Sequence, residues 1–102
     1  MDLKQFQNEV KELFDKISEK RNVRQAKEDL FIHLIEEIGE LARQITNEKI
    51  RREKFDLENL KEEIADSIIF LTLLASQYNI DLPETLKKDI EKLKIKFGIE
   101  QV

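Results

Sequence analysis

The chain has 102 residues, 40% of them hydrophobic and 39% charged, with a formal net charge of −4, enough apolar material for one domain around one core. Acidic and basic residues are interspersed, which excludes a nucleic-acid footprint, and the lack of cysteine excludes disulfides and thiolate metal sites. The opening MDLKQFQNEV is too polar for a secretory signal, and the longest uncharged apolar stretch, Ser67 to Ser76, is about half a membrane span. A cytoplasmic protein with no membrane or nucleic-acid partner is expected.

Two glycines and one proline leave few tight turns, so the chain should form long helices. The first is predicted to follow Asp2 as N-cap, with Leu3, Phe6, Val10, Leu13, Phe14 and Ile17 at three- and four-residue steps. It should end between Ser18 and Asn22, where the apolar rhythm stops. A second helix is predicted from about Ala26 to Asn47. Leu30, Leu34, Ile38, Leu41 and Ile45 form its apolar face, widened by Phe31, Ile35 and Ala42. The charged run Glu48 to Lys54 either extends it or forms a loop. Phe6, Phe14 and Phe31 read as core.

Asp56 is a suitable N-cap for a third helix, Leu57 to about Tyr78. From Ile64 to Ala75 that helix is apolar almost all round, and such a helix must be surrounded. Three other helices of a short chain hardly suffice, so a homodimer or homotetramer is expected. The last helix opens with Asp81-Leu82-Pro83-Glu84, a cap, a first-turn proline and a capping-box-like acid. Leu86, Ile90, Leu93 and Phe97 should be its buried stripe, and Gly98 its terminator. The fold class is all-α, a four-helix bundle-like protomer in an oligomer.

Several acids do not read as solvated surface. Taking Glu36 as zero, Glu40 falls at about 40°, His33 at about 60° and Glu37 at about 100° around the helix. On the third helix Glu63 and Asp66 are three apart and share a face. The interval from Glu37 to Glu63 leaves room for an antiparallel return, so the two acidic groups can face one another across a helix hairpin. Glu36 with Glu40, and Glu62 with Asp66, repel at i,i+4, and neither Glu37 nor Asp66 has a basic residue one turn on. Both groups sit in the most apolar parts of their helices, where unpaired carboxylates are costly and a divalent cation removes the cost. All-oxygen ligands favour Mg2+, or Mn2+ in its place, over zinc, and a di-iron site would want Glu-x-x-His motifs that are absent. Magnesium commonly shares its coordination with substrate phosphates, which points to phosphoryl chemistry on a nucleotide or similar ligand.

Glu36-Glu37-Ile38-Gly39-Glu40-Leu41-Ala42 followed by Glu63-Ile64-Ala65-Asp66 resembles the EExxE and ExxD pair of the MazG-like all-alpha nucleotide pyrophosphohydrolases. The similarity runs on through Leu74-Ala75 and Ile80-Asp81-Leu82, from about Leu30 to Phe97. The resemblance implies Mg2+-dependent hydrolysis of a nucleoside triphosphate to the monophosphate and pyrophosphate, with a house-cleaning role on non-standard nucleotides. Carried over position by position, Glu37, Glu40, Glu63 and Asp66 are the implied metal ligands. Glu36 is a candidate for orienting the attacking water or completing the metal shell, or is structural. Ser76 stands where many members have a substrate-holding Asn. Phosphoribosyl-ATP pyrophosphatases share the acidic spacing, but their Ser-Tyr-Thr segment is missing here. A non-catalytic helical interaction module on the same scaffold is the alternative from another class.

Other residues carry weaker expectations as substrate contacts. His33 could stack on a base or sit at the rim, and Phe70, on the face of Glu63 and Asp66, could wall a base pocket or pack in the core. Arg51, Arg52 and Lys54 lie between the two acidic helices and are phosphate-contact candidates. Lys88, Lys92 and Lys96 align at i, i+4 and i+8, but Glu84 one turn earlier favours a solvated face.

Overall fold

A computed structural model describes residues 1–24 and 26–99. Within them the chain forms four α-helices and no strand: α1 (Leu3–Arg21), α2 (Lys27–Ile50), α3 (Leu57–Gln77) and α4 (Leu82–Lys96), with a short 3-10 turn at Arg52–Lys54. No helix among the described residues is long and apolar enough to cross a membrane.

Side-chain caps set most of the boundaries. Asp2 Oδ1 accepts from Gln5 N at 2.8 Å while Gln5 Oε1 accepts from Asp2 N at 3.0 Å, a reciprocal pair that satisfies two otherwise orphaned donors. At the other end of α1, Asn22 takes the left-handed conformation, and Val23 N–H reaches back to Ser18 O. Asp56 Oδ1 accepts from Glu58 N and Asn59 N at the start of α3. Asp81 Oδ1 accepts from Glu84 N at the start of α4, and Gly98 closes that helix at φ 65°.

The charged run after Asn47 extends α2 by one turn before the 3-10 turn reverses the chain. The reversal is braced from within: Gln44, buried on α2, accepts the Asp56 backbone N–H at 2.9 Å, tying the end of one helix to the cap of the next. α2 and α3 thus form an antiparallel hairpin. α1 lies across α3, where Val10, Leu30 and Leu73 make the buried core, lined by Phe6, Phe14, Ile69 and Phe70. Gln7 of α1 pins the α3–α4 turn by donating to Ile80 O at 2.8 Å and Ser76 Oγ at 3.3 Å and accepting Leu82 N–H at 3.1 Å.

Several residues expected to be buried are not. Phe31, Ile35, Ile38 and Ile45 of α2 are exposed, as are Leu13 of α1 and Leu86, Ile90, Leu93 and Phe97 of α4. The physical reason is that α4 touches only α1 and α3, and α1 covers only one side of the hairpin. The apolar stripes are where periodicity puts them, but this protomer has no helix to lay on them.

Candidate metal centre

The core gives way to acids along the hairpin. Glu37 on α2 meets Glu63 and Asp66 on α3, and one carboxylate oxygen from each lies within 4.8 Å of the others. α2 and α3 put these groups there by the same register that buries Leu30 and Leu34 on one helix and Leu73 on the other. Glu63 is buried, and its Oε2 has no hydrogen-bond partner. A buried carboxylate oxygen without a partner is costly, and a cation among three carboxylates is the group that suits it. The Glu37 carboxyl is pushed up from its ordinary 4.5 to about 7. The largest cause is its hydrogen bond with Glu63, followed by burial and by the negative charges of Glu63, Asp66 and Glu40. In effect a proton does between Glu37 and Glu63 what a metal ion would do better. The donor set is hard oxygen throughout, which fits Mg2+ or Mn2+.

The other expected residues fall at graded distances from this cluster. Glu40 is half-buried one turn from Glu37, close enough to raise the Glu37 pKa, but its oxygens hold Arg43 Nη1 at 3.2 and 3.3 Å. Glu36 is exposed and lies 3.7 Å from His33 Nδ1. His33 stacks on Phe70 across the hairpin, ring centroids 5.8 Å apart and planes 15° apart, and Phe70 also tilts against Phe14 of α1 at 6.0 Å. This aromatic pair is one turn from the acids, His33 preceding Glu37 and Phe70 following Asp66.

The remaining candidates stand farther off. Because α2 runs unbroken to Ile50, Arg51 lies about 16 Å along the helix from Glu40, and Lys54 shares that distal turn. Ser76 is about 15 Å along α3 from Asp66 and is occupied by Gln7. Lys88 pairs with Glu84 at 3.3 Å, and Lys92 lines a shallow groove with it on the outer side of α4. Two residues were not singled out from the sequence. Arg43, the counter-ion of Glu40, was signalled by its i,i+3 spacing. Gln44 was signalled only by an amide at an inward helical position.

The MazG nucleotide pyrophosphohydrolase domain family matches residues 25–96, which contain α2, α3, α4 and all the acids of the cluster. The chain belongs to this family. No curated relative and no solved structure matches it significantly. The MazG match leaves α1 outside, although α1 supplies Val10, Phe6 and Phe14 to the core that holds the hairpin together.

Proposed function

We propose that this MazG domain is a cytoplasmic, Mg2+-dependent nucleoside triphosphate pyrophosphohydrolase that cleaves the α–β linkage to give a monophosphate and pyrophosphate. The observation that carries this reading is the inward-facing Glu37–Glu63–Asp66 cluster with its orphaned Glu63 oxygen, in a chain of this family. Glu37, Glu63 and Asp66 would hold the ions, and Glu40 would join them on releasing Arg43. When bound, the ions would supply charge neutralisation of the phosphates and a lowered pKa for the attacking water. Glu36, exposed one residue before Glu37, would orient that water. Arg43, freed from Glu40, would then be a cation available to the phosphates, and the His33–Phe70 pair would offer an aromatic face to the base.

The test is pyrophosphate release across canonical and modified triphosphates, with and without Mg2+. Release of pyrophosphate instead of orthophosphate is expected from at least one of them. Glu40→Gln and Asp66→Asn are each expected to lower turnover at least about 100-fold, the scale of losing one electrostatic contact to the transition state, with helical content unchanged. Turnover surviving either change at saturating Mg2+ overturns the ligand assignment. A full panel without hydrolysis and without a Mg2+-dependent thermal shift would leave a non-catalytic helical module.

A further inference from the structure

Next to the acidic cluster, along the first turns of α2, lies a cavity of about 320 Å³ whose walls include Val23, Arg24, Asp29, Ile32, His33 and Glu36. That is the small end of the range for sites that take a small molecule, about 300–1,000 Å³. The cavity adjoins the cluster through Glu36, one residue before Glu37. His33 lines it while Phe70, on which His33 stacks, does not, so the imidazole is a flat wall backed by Phe70. Val23 and Ile32 add apolar edges.

The stripe of polar residues that crosses this cavity has a direction. Asp29, His33, Glu36, Glu40 and Arg43 of α2 fall within about 80° of one another around the helix. Arg43 is about 9 Å along the axis past Glu37, and Asp29 about 12 Å before it. Phosphate oxygens belong with a guanidinium. A nucleotide held by its phosphates at the cluster therefore runs its tail towards Arg43 and its base towards Asp29 and the cavity.

At that end Arg24 and Asp29 are both exposed, and neither is in an ion pair among the described residues, with each other or with anything else. One cavity thus keeps open a carboxylate, which accepts, and a guanidinium, which only donates. We infer that these two residues read the base and select guanine, an inference that rests on the proposed reading of the acids as the phosphate end. Guanine offers Asp29 two adjacent donors, N1–H and the 2-amino group. It offers Arg24 two adjacent acceptors, O6 and N7, and its ring can stack on His33. Adenine sets the acceptor N1 beside its amino group, and cytosine sets N3 beside its own, so on either base a carboxylate meets one donor and one lone pair. Uracil and thymine carry one donor between two carbonyls.

The test removes one base atom at a time. With Mg2+ present, kcat/KM is expected to be highest for GTP. It should fall about tenfold for ITP, which lacks the 2-amino group, and about tenfold for 7-deaza-GTP, which lacks N7, the scale of half-breaking a bidentate base contact. Asp29→Asn should bring GTP down to the level of ITP, and Arg24→Gln should bring it down to that of 7-deaza-GTP. Calorimetry with the α,β-methylene analogues of GTP and ITP, which cannot be cleaved at that linkage, reads the same preference without turnover. A chain that releases no pyrophosphate but binds the GTP analogue over the ITP analogue loses the proposed reaction and keeps the guanine pocket. A chain that hydrolyses GTP, ITP and CTP alike keeps the reaction and overturns the pocket. Equal affinity for the two analogues, no binding of either, or a guanine preference that survives Asp29→Asn also overturns it.

Discussion

Where α1 crosses the hairpin, Leu30 and Leu73 are 1% and 4% exposed and pack with Val10 beside Phe14 and Phe70. Seven residues, or two turns, along each helix the same inward positions hold Glu37 and Asp66, and Glu63 stands two turns from Phe70. The backbone geometry of the two regions is alike; only the side chains differ. Burial of each core leucine stabilises the fold by about 1.5–3 kcal/mol, whereas each inward carboxylate costs free energy until something positive sits beside it. The first region holds the helices together so that the second can keep Glu63 from water and its acids close to one another.

Truncating a residue from each region should therefore move stability in opposite directions. Leu73→Ala removes the centre of the core and is expected to cost about 2–5 kcal/mol, read from chemical denaturation without metal. Glu63→Gln in the same buffer should stabilise the fold, by about 1–3 kcal/mol, because the orphaned oxygen and one negative charge disappear and the new amide can donate to Glu37. If Glu63→Gln destabilises the metal-free protein, the cluster is part of the structural core and the contrast between the regions fails.

Titration sharpens the same contrast. A carboxyl whose pKa is raised in the fold binds its proton more tightly than in the unfolded chain, so its contribution is whole below the unfolded value and declines as pH climbs through the folded one. For Glu37 the window runs from 4.5 to about 7. Without metal, melting temperature should fall across that window and then level, and Glu37→Gln should remove the fall. With Mg2+ the trend should reverse, since the ion displaces the proton and binds better as pH rises.

Much of this was readable from residues alone. The starts of α1, α3 and α4 follow from Asp2, Asp56 and Asp81, because a cap is a local contact whose partners are two or three residues away. Helical arithmetic likewise put Glu37 opposite Glu63 and Asp66. What it could not supply was anything carried by distant partners. The Gln7 clamp joins residues about 70 positions apart in sequence, and no period announces it. The stripes of α2 and α4 show the limit most clearly: a period of 3.6 identifies an apolar face but says nothing about what covers it. Periodicity therefore assigns Phe31 and Leu86 to a core that this protomer does not build. Glu40 stands apart from the cluster for a smaller reason, in that its neighbour Arg43 lies three residues on, inside the range where helix ion pairs form.

The smallest expected effect concerns the outer side of α4. Lys88 and Glu84 sit 3.3 Å apart at i,i+4, with side chains 77% and 61% exposed, so water already solvates both charges and ordering two long side chains costs entropy. Lys88→Ala should change stability by less than about 0.5 kcal/mol, measured at low salt, where such a pair counts most. The same helix carries the uncovered stripe from Leu86 to Phe97, so the size of the effect also reports on its surroundings. A loss of several times that value would mean that Lys88 is desolvated in solution, and α4 would then be packed against a neighbouring chain on its charged side as well as its apolar one.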